Sequence, residues 1–209
     1  MKIRKLEHSG MIIENNGRAI VFDPVEIEDS LPEINNVDAI VITHGHSDHL
    51  QIQDVVEIAT NNPTAKIYCP EDCLAKFEPS NLTAEAVKAG QIVQVGEFKL
   101  EFFGGEHARI MPDQALCQNF GCMVNDTVAN PGDSLDMPPC RPKVLCVALA
   151  APWLKSVEAV AYANAMRPDH VVPIHDSVLS EFGKTICRNV LKNSTADVRV
   201  LEVGEEFEF

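Results

Sequence analysis

The decisive stretch of the chain is Ala39-Ile40-Val41-Ile42-Thr43-His44-Gly45-His46-Ser47-Asp48-His49. Its β-branched beginning predicts a buried strand over 39–43 that delivers the polar residues at its carboxyl end. His44 and His46 are two residues apart, so an extended chain points both imidazoles toward one cation. Asp48 and His49 follow where a helical pattern begins, and they can address a second position beside the first. The alternative is a histidine-rich surface loop, but such loops rarely follow a strand with this alternation.

Length and composition predict one domain over residues 1–209, because 209 residues with 45% hydrophobic composition can bury an ordinary core. The net charge of −14, with only 17 lysines and arginines, argues against a nucleic-acid partner. The N-terminal residues 1–7 alternate like an edge strand, and no apolar run approaches the ~20 residues of a membrane span. We therefore expect a soluble, cytoplasmic protein with no membrane insertion.

The seven cysteines are spaced irregularly and include no C-x-x-C pair. In a cytoplasmic chain this pattern favours reduced, mostly buried thiols over disulfides or a zinc role.

The rest of the chain alternates between strand and helix patterns. Strands are predicted over 2–7, 10–14, 18–23, 39–43, 66–69, 92–95, 98–103, 116–124, 127–129, 144–149 and 170–174, with a final pair near 198–203 and 205–209. Helices are predicted over 51–60, 70–77, 154–166 and 177–191, and residues 82–90 read as a brief helix or loop. No repeat or flexible linker divides the chain.

Residues suited to metal binding follow the predicted strands at their carboxyl ends. Besides the cluster at 44–49, they are His107, Asp133 and His175. Loops at that edge of an α/β layer are where sites are built. The candidates divide into a first site of His44, His46 and His107 and a second site of Asp48, His49 and His175, with Asp133 bridging both. Two divalent ions held in this way would make a hydroxide at neutral pH, so the predicted chemistry is hydrolysis.

The same residues resemble the metallo-β-lactamase superfamily in all five of its motifs, in order along the whole chain. The residues that carry this resemblance include His44-x-His46-x-Asp48-His49, the later His107, Gly132-Asp133-Ser134 and Pro173-Ile174-His175. The segments His8-Ser9-Gly10 and Phe22-Asp23-Pro24 are similar to those of small bacterial hydrolases related to ascorbate-6-phosphate lactonase. The resemblance implies an α/β fold, the αβ/βα sandwich of two mixed β-sheets with helices outside and metals in a groove at one edge.

Departures from relatives narrow the function that the resemblance implies. Ser47 stands where flavodiiron relatives carry glutamate, which favours hydrolysis over oxygen chemistry. Asp133 offers a carboxylate where secreted β-lactamases use cysteine in the second site, and the chain has no length for a substrate domain. The prediction is a hydrolase that uses a metal-bridging hydroxide on a small lactone, ester or phosphoester. Zinc is the first choice for its two ions, with manganese or iron as alternatives.

Two other functions are left open: a non-catalytic regulatory module that binds metal, and a phosphodiesterase that acts on lipid. A homo-oligomer is an open prediction as well.

Several residues near the motifs receive individual interpretations. Asp48 and His8 are the candidate catalytic residues, with His8 donating to substrate or leaving group, or else serving as a plain strand histidine. Asp23 is a candidate carboxylate for orienting a ligand histidine, against an aspartate that merely starts a turn. Trp153 lies in a loop that could roof the groove, with core packing as the favoured interpretation. His170 is interpreted as structural. Arg109 could pair with an anionic substrate, with a solvated loop arginine as the favoured interpretation.

Overall fold

The structure is a computed structural model, and it describes residues 1–28 and 30–209. The described residues form fourteen strands and four α-helices. The strands are β1 Lys2–Lys5, β2 Met11–Asn15, β3 Arg18–Phe22, β4 Val37–Val41, β5 Lys66–Cys69, β6 Ala84–Ala86, β7 Ile92–Val95, β8 Phe98–Glu106, β9 Gln118–Val124, β10 Val128–Asn130, β11 Val144–Ala148, β12 His170–Ile174, β13 Asp197–Val198 and β14 Glu206–Glu208. The helices are α1 Ile52–Asn61, α2 Leu74–Phe77, α3 Ser156–Met166 and α4 Glu181–Leu191, with single 3₁₀ turns at Glu71–Cys73 and Glu78–Ser80.

The strands form two seven-stranded mixed sheets with matching plans. The first sheet has the order β14-β1-β2-β3-β4-β5-β6 and the second has the order β13-β12-β11-β10-β9-β8-β7. In the first sheet β14 to β3 pair antiparallel, and β3 to β6 pair parallel. The second sheet repeats this, antiparallel from β7 to β10 and parallel from β10 to β13. Each half of the chain thus builds one sheet with a parallel portion, apart from the terminal strand β14.

Alternation along the strands sorts the core into layers. Ile20 and Phe22 of β3 enter the cluster between the two sheets, whereas Val21 enters the cluster beneath α1 and α2. The second sheet packs its opposite face on α3 and α4, for example through Leu145 against Ala163. Since successive side chains of a strand point to opposite faces, one apolar run supplies two layers of core. This confirms the predicted four-layer α/β sandwich.

Several element bounds differ from the predictions by two or three residues, and three elements differ more clearly. Residues 84–86 form the edge strand β6 rather than a helix or loop, because their backbone pairs in parallel with β5 despite helix-favouring alanine and glutamate. Helix α4 begins at Glu181 instead of 177, where the Ser180 hydroxyl accepts the Gly183 N–H and caps it. Only Asp197 and Val198 form a strand in the region predicted over 198–203.

No helix among residues 1–28 and 30–209 has the length and apolar character needed to cross a membrane.

The two sheets meet at the edge that carries the polar cluster. Beyond β4, His44 forms an isolated bridge with Asn119 of β9, and the Phe120 N–H donates to the Thr43 carbonyl at 2.9 Å. His107 follows β8 directly, and His175 follows β12 directly. The topology of the two sheets therefore brings residues more than a hundred positions apart in the sequence to one groove.

Candidate metal centre

The seven predicted ligands lie together at this edge. Nitrogen atoms of His44, His46 and His107 lie within 4.8 Å of one another, and the second set, Asp48, His49 and His175, does so together with His8. The Asp133 carboxylate lies between the sets. Its Oδ1 is 3.3 Å from His49 Nε2, and its Oδ2 is 3.2 Å from His175 Nε2 and 3.4 Å from His107 Nε2. Asp133 is thus placed to contact cations held by either set.

The outer nitrogens of three histidines determine which nitrogen faces the centre. His107 Nδ1 lies 2.5 Å from the Ala108 carbonyl and His175 Nδ1 lies 2.6 Å from the Ala150 carbonyl. His49 Nδ1 lies 2.8 Å from Asp23 Oδ2. Carbonyl and carboxylate oxygens only accept hydrogen bonds, so each Nδ1 carries the proton, and in the neutral ring Nε2 keeps its lone pair.

These three Nε2 atoms are buried, and within the described part of the chain they have no hydrogen-bond partner. Buried polar atoms are normally satisfied, so three that converge on one carboxylate fit a bound cation.

His44 and His46 give the same indication for the first set. The Thr43 hydroxyl donates to Asp23 Oδ2 at 2.7 Å, which leaves it an acceptor for His44 Nδ1 at 3.1 Å. The lone pair of His44 is then on Nε2, which lies 3.1 Å from His46 Nδ1. Burial lowers the pKa of both histidines, so both rings are neutral near pH 7. A cation between the two nitrogens would satisfy both at once, and the residues present fit a metal ion.

His8 lies with the second set, but its ring carries the proton on the other nitrogen, the one that faces the groove. Its Nδ1 accepts the Ser177 backbone N–H at 3.3 Å, so the neutral ring carries its proton on Nε2. Burial lowers the pKa of His8 and keeps it neutral at pH 7. Nε2 lies 3.4 Å from Asp48 Oδ2 and makes no aligned hydrogen bond within the described residues. His8 therefore presents an N–H to the groove, where the other histidines present lone pairs.

The electrostatics of the metal-free centre are dominated by His49. Burial opposes its charge, but Asp133 and Asp23 on either side outweigh burial and raise the pKa of His49 to about 10. Burial likewise opposes ionisation of Asp133, yet His49 and the neighbouring His107 and His175 hold the Asp133 pKa well below its usual range. A proton thus occupies the place that a cation would take, and binding at His49 releases it.

Three residues of the centre adopt left-handed backbone conformations: His8 with φ 51°, Asp23 with φ 41° and His175 with φ 58°. Such conformations are uncommon outside glycine and persist when the surroundings enforce them. The His8 carbonyl accepts the His175 N–H at 3.0 Å and the Lys5 ammonium at 2.7 Å. Lys5 is only 2% exposed and also donates to Asp176, so a buried charge ties the His8 turn to the His175 loop.

Some residues around the ligands escaped the sequence interpretation. Trp153 is wrong as a core residue: it is half-buried, and its indole N–H donates to Asp133 Oδ2 at 2.9 Å. Asn119 accepts the Asp133 backbone N–H at 2.9 Å, and Cys117 Sγ lies 3.7 Å from His46 Nε2. Trp153 follows β11 in a loop at the ligand-bearing edge, and this position was the available signal. Asn119 and Cys117 carry no sequence signal, because β9 joins the site from the other sheet.

Two other interpretations can be compared with the contacts. Arg109 donates to the Pro112 and Gln114 carbonyls of its own exposed loop. His170 lies 3.2 Å from Asp197 and packs edge-on against Phe207, away from the ligands. These contacts agree with a loop residue and a structural histidine.

The Trp153→Phe variant is expected to bind zinc about tenfold more weakly, because partners of metal ligands typically contribute 10–100-fold to affinity. Phenylalanine keeps the ring and removes the N–H that orients Asp133. Competition with a chelating dye measures the affinity. Tyr162→Phe is the matched control, since it removes a hydrogen bond of 2.6 Å to the Asp136 carbonyl in the same loop. If both variants lose the same zinc affinity, the effect comes from general disturbance of the loop that carries Asp133 and Asp136, and the prediction is contradicted.

The fold and this edge define a metallo-β-lactamase-type protein with a histidine and aspartate centre. Residues 2–175 match the family model described as Beta-lactamase superfamily domain, and the chain belongs to this family. Protein Rv0786c of Mycobacterium tuberculosis is 31% identical over 208 residues, with 96% of each chain covered. A UPF0173 metal-dependent hydrolase of Aeropyrum pernix is 27% identical, covering 100% of this chain and 97% of the relative. The nearer likeness to ascorbate-6-phosphate lactonase stays a prediction.

Among solved structures, Igni18, a metallo hydrolase from Ignicoccus hospitalis, superimposes with a TM-score of 0.76 at 21% identity. The match covers 100% of this chain and 98% of Igni18. The YhfI protein of Bacillus subtilis, with the metallo-beta-lactamase fold, gives a TM-score of 0.73 at 15% identity over 99% of each chain. At these identities the likeness concerns the fold.

Proposed function

We propose that this protein is a metal-dependent hydrolase with two divalent cations, acting on a small ester, lactone or phosphoester. The observation that carries the proposal is the convergence of buried, unpartnered imidazole nitrogens on the Asp133 carboxylate. His44, His46 and His107 would hold one ion, and Asp48, His49 and His175 the other, with Asp133 between them. The relatives named as metal-dependent hydrolases support this reaction class.

When bound, such ions supply Lewis acidity and lower the pKa of water enough for attack at neutral pH. The side chains around them orient the reactants. Burial opposes ionisation of Asp48, but the proximity of His8 and the charge of His49 hold the Asp48 pKa well below its usual range. Asp48 is therefore an acceptor that orients the attacking water rather than a base that retains its proton. His8 offers its Nε2–H to the oxygen that gains negative charge as the substrate reacts.

Ion counting on purified protein tests the two-site assignment. Reconstituted wild type should hold close to two ions per chain, and Asp48→Ala or His175→Ala should deplete one of them. His170→Ala is the matched control, because His170 lies outside the cluster and should leave both ions bound. Wild type that stays metal-free after reconstitution with zinc, manganese and iron would refute the proposal.

Turnover on esters, lactones and phosphodiesters separates the hydrolase from a regulatory module. Bound metal without turnover on the whole panel would favour the module. Zinc is the expected ion because the centre combines imidazole and carboxylate ligands, with manganese and iron as alternatives. A cytoplasmic location remains part of this proposal.

A further inference from the structure

A small cavity lies directly against the first ligand set. Its walls include the ligands His46 and His107, and its volume is 40 Å³. Apolar side chains form much of the remaining wall, namely Ala108, Ile110, Ala115 and Leu116. Pockets for drug-sized ligands measure about 300–1,000 Å³, so this cavity suits only a short group. A group that fills the cavity contacts His46 and His107 and therefore lies beside the proposed metal centre.

Two cationic side chains lie near this cavity, and both are held by backbone carbonyls. The Arg109 guanidinium is turned into its own loop, where it donates to the Pro112 and Gln114 carbonyls. Lys76 Nζ donates to the Gly45 carbonyl at 2.6 Å. Among the described residues that line the cavity, none is lysine or arginine. A negatively charged group in the cavity would find no cationic side chain among the described residues of its wall, and only the ions of the proposed centre could offset its charge.

A second cavity, of 530 Å³, lies on the other side of His107 and shares His107 and Ala108 with the first. It carries the carboxylates of Glu106 and Asp136, and of the described residues lining it none is basic. The approach to the centre through this second cavity is therefore negative. With the chain's net charge of −14, the field disfavours anionic substrates.

We infer that the substrate is an uncharged ester or lactone whose acyl side is short and apolar and fits the 40 Å³ cavity. This inference rests on the proposed hydrolase function and narrows its substrate class against phosphoesters and acidic esters. In the reaction, a water oxygen bonds to the carbonyl carbon and the bond to the alkoxy oxygen breaks. The leaving oxygen takes up one proton of the water, so acid and alcohol form with no further reactant.

Zinc-loaded wild type is assayed with p-nitrophenyl butyrate and p-nitrophenyl hemisuccinate, which share the reaction and differ mainly in a terminal carboxylate. We expect kcat/KM to favour butyrate by about tenfold or more. Ile110→Lys adds a cation at the cavity wall and should narrow that ratio by about fivefold. Ile92→Lys is the matched control, because Ile92 is exposed on β7 away from the ligands and should keep the wild-type ratio.

The outcomes separate this inference from the function beneath it. If zinc-loaded protein hydrolyses neither ester but turns over bis-p-nitrophenyl phosphate, the inference is overturned and the proposed hydrolase stands; failure on all three compounds would count against the proposed hydrolase. Hydrolysis of both esters at similar kcat/KM would overturn the uncharged substrate class and leave the hydrolase standing. An unchanged ratio in Ile110→Lys would also overturn it, because the cavity would then not hold the acyl group. Metal content measured on each variant confirms that the centre is loaded equally.

Discussion

Replacing Asp23 with asparagine is expected to weaken binding of the second metal ion by about 100-fold while the fold is kept. Asp23 is fully buried and accepts from two fixed N–H donors and also from the Thr43 hydroxyl, which can reorient. Its Oδ1 accepts the Thr43 backbone N–H at 2.8 Å, and its Oδ2 accepts His49 Nδ1–H at 2.8 Å. Asparagine has one acceptor oxygen, and the backbone N–H of Thr43 cannot be reversed. The amide oxygen must therefore face Thr43, and the NH₂ group must face His49.

The amide group of asparagine therefore changes the tautomer of His49. An NH₂ group opposite Nδ1 requires a lone pair there, so the proton of the neutral ring moves to Nε2. Nε2 is the atom that faces Asp133 at 3.3 Å and would bind the ion. Asparagine tolerates the left-handed backbone at this position as well as aspartate does. The loss of metal affinity is therefore expected from the changed tautomer of His49 and not from a disturbed fold.

Nitrogen NMR of the histidine rings gives the tautomer directly, and chelator competition gives the affinity. The expected loss of unfolding free energy in the metal-free protein is about 1.5–3 kcal/mol, because the lost hydrogen bond joins a charged imidazole to a carboxylate. Asp54→Asn is the matched control, since Asp54 is a buried carboxylate that accepts the Glu26 N–H at 2.8 Å away from the ligands. Wild-type affinity in Asp23→Asn would mean that Asp23 does not set the His49 ring.

The sequence was sufficient to predict that the seven candidate ligands lie together, because each of them follows a strand. Strand ends of one α/β layer share an edge, so the spacing of His44, His107, Asp133 and His175 predicted their meeting before any distance was measured. The four-layer fold was predicted from the resemblance to the metallo-β-lactamase superfamily, and the pattern of the strands agrees with it. Runs such as Ala39–Ile42 alternate between two buried faces, and only a sheet covered on both sides accepts that pattern.

The residues that hold the ligands could not be predicted in the same way. Asn119 reaches Asp133 because the second sheet delivers β9 beside β4, and that packing depends on two whole sheets. The polarity of His8 depends on one backbone N–H, that of Ser177, far along the chain. Trp153 illustrates a third limit, since burial alone favours core packing and only the position of Asp133 gives its indole N–H a partner. Such contacts are properties of the assembled groove.

Gly132→Ala is expected to lower the unfolding free energy by about 2–4 kcal/mol, combining left-handed backbone strain with overpacking. Gly132 has φ 63°, and a Cβ there would lie 2.4 Å from Asn119 Oδ1 and 2.7 Å from Thr43 Cβ. Both neighbours position the centre. Asn119 holds the Asp133 backbone, and Thr43 contacts His44 and Asp23. One methyl group therefore disturbs supports of both ligand sets, and zinc affinity should fall together with stability.

Gly17→Ala separates strain from crowding. Gly17 has φ 77° in the β2–β3 turn, and nothing lies within 4 Å of a Cβ built there. The Gly17→Ala variant should lose only the free energy of the left-handed backbone strain, about 1 kcal/mol of unfolding free energy, and its zinc affinity should be unchanged. Urea unfolding of the metal-free variants and chelator competition on the reconstituted ones give both quantities. If Gly132→Ala costs no more than Gly17→Ala and binds zinc normally, the loop can move aside, and close packing behind Asp133 is not what holds the carboxylate between the two histidine sets.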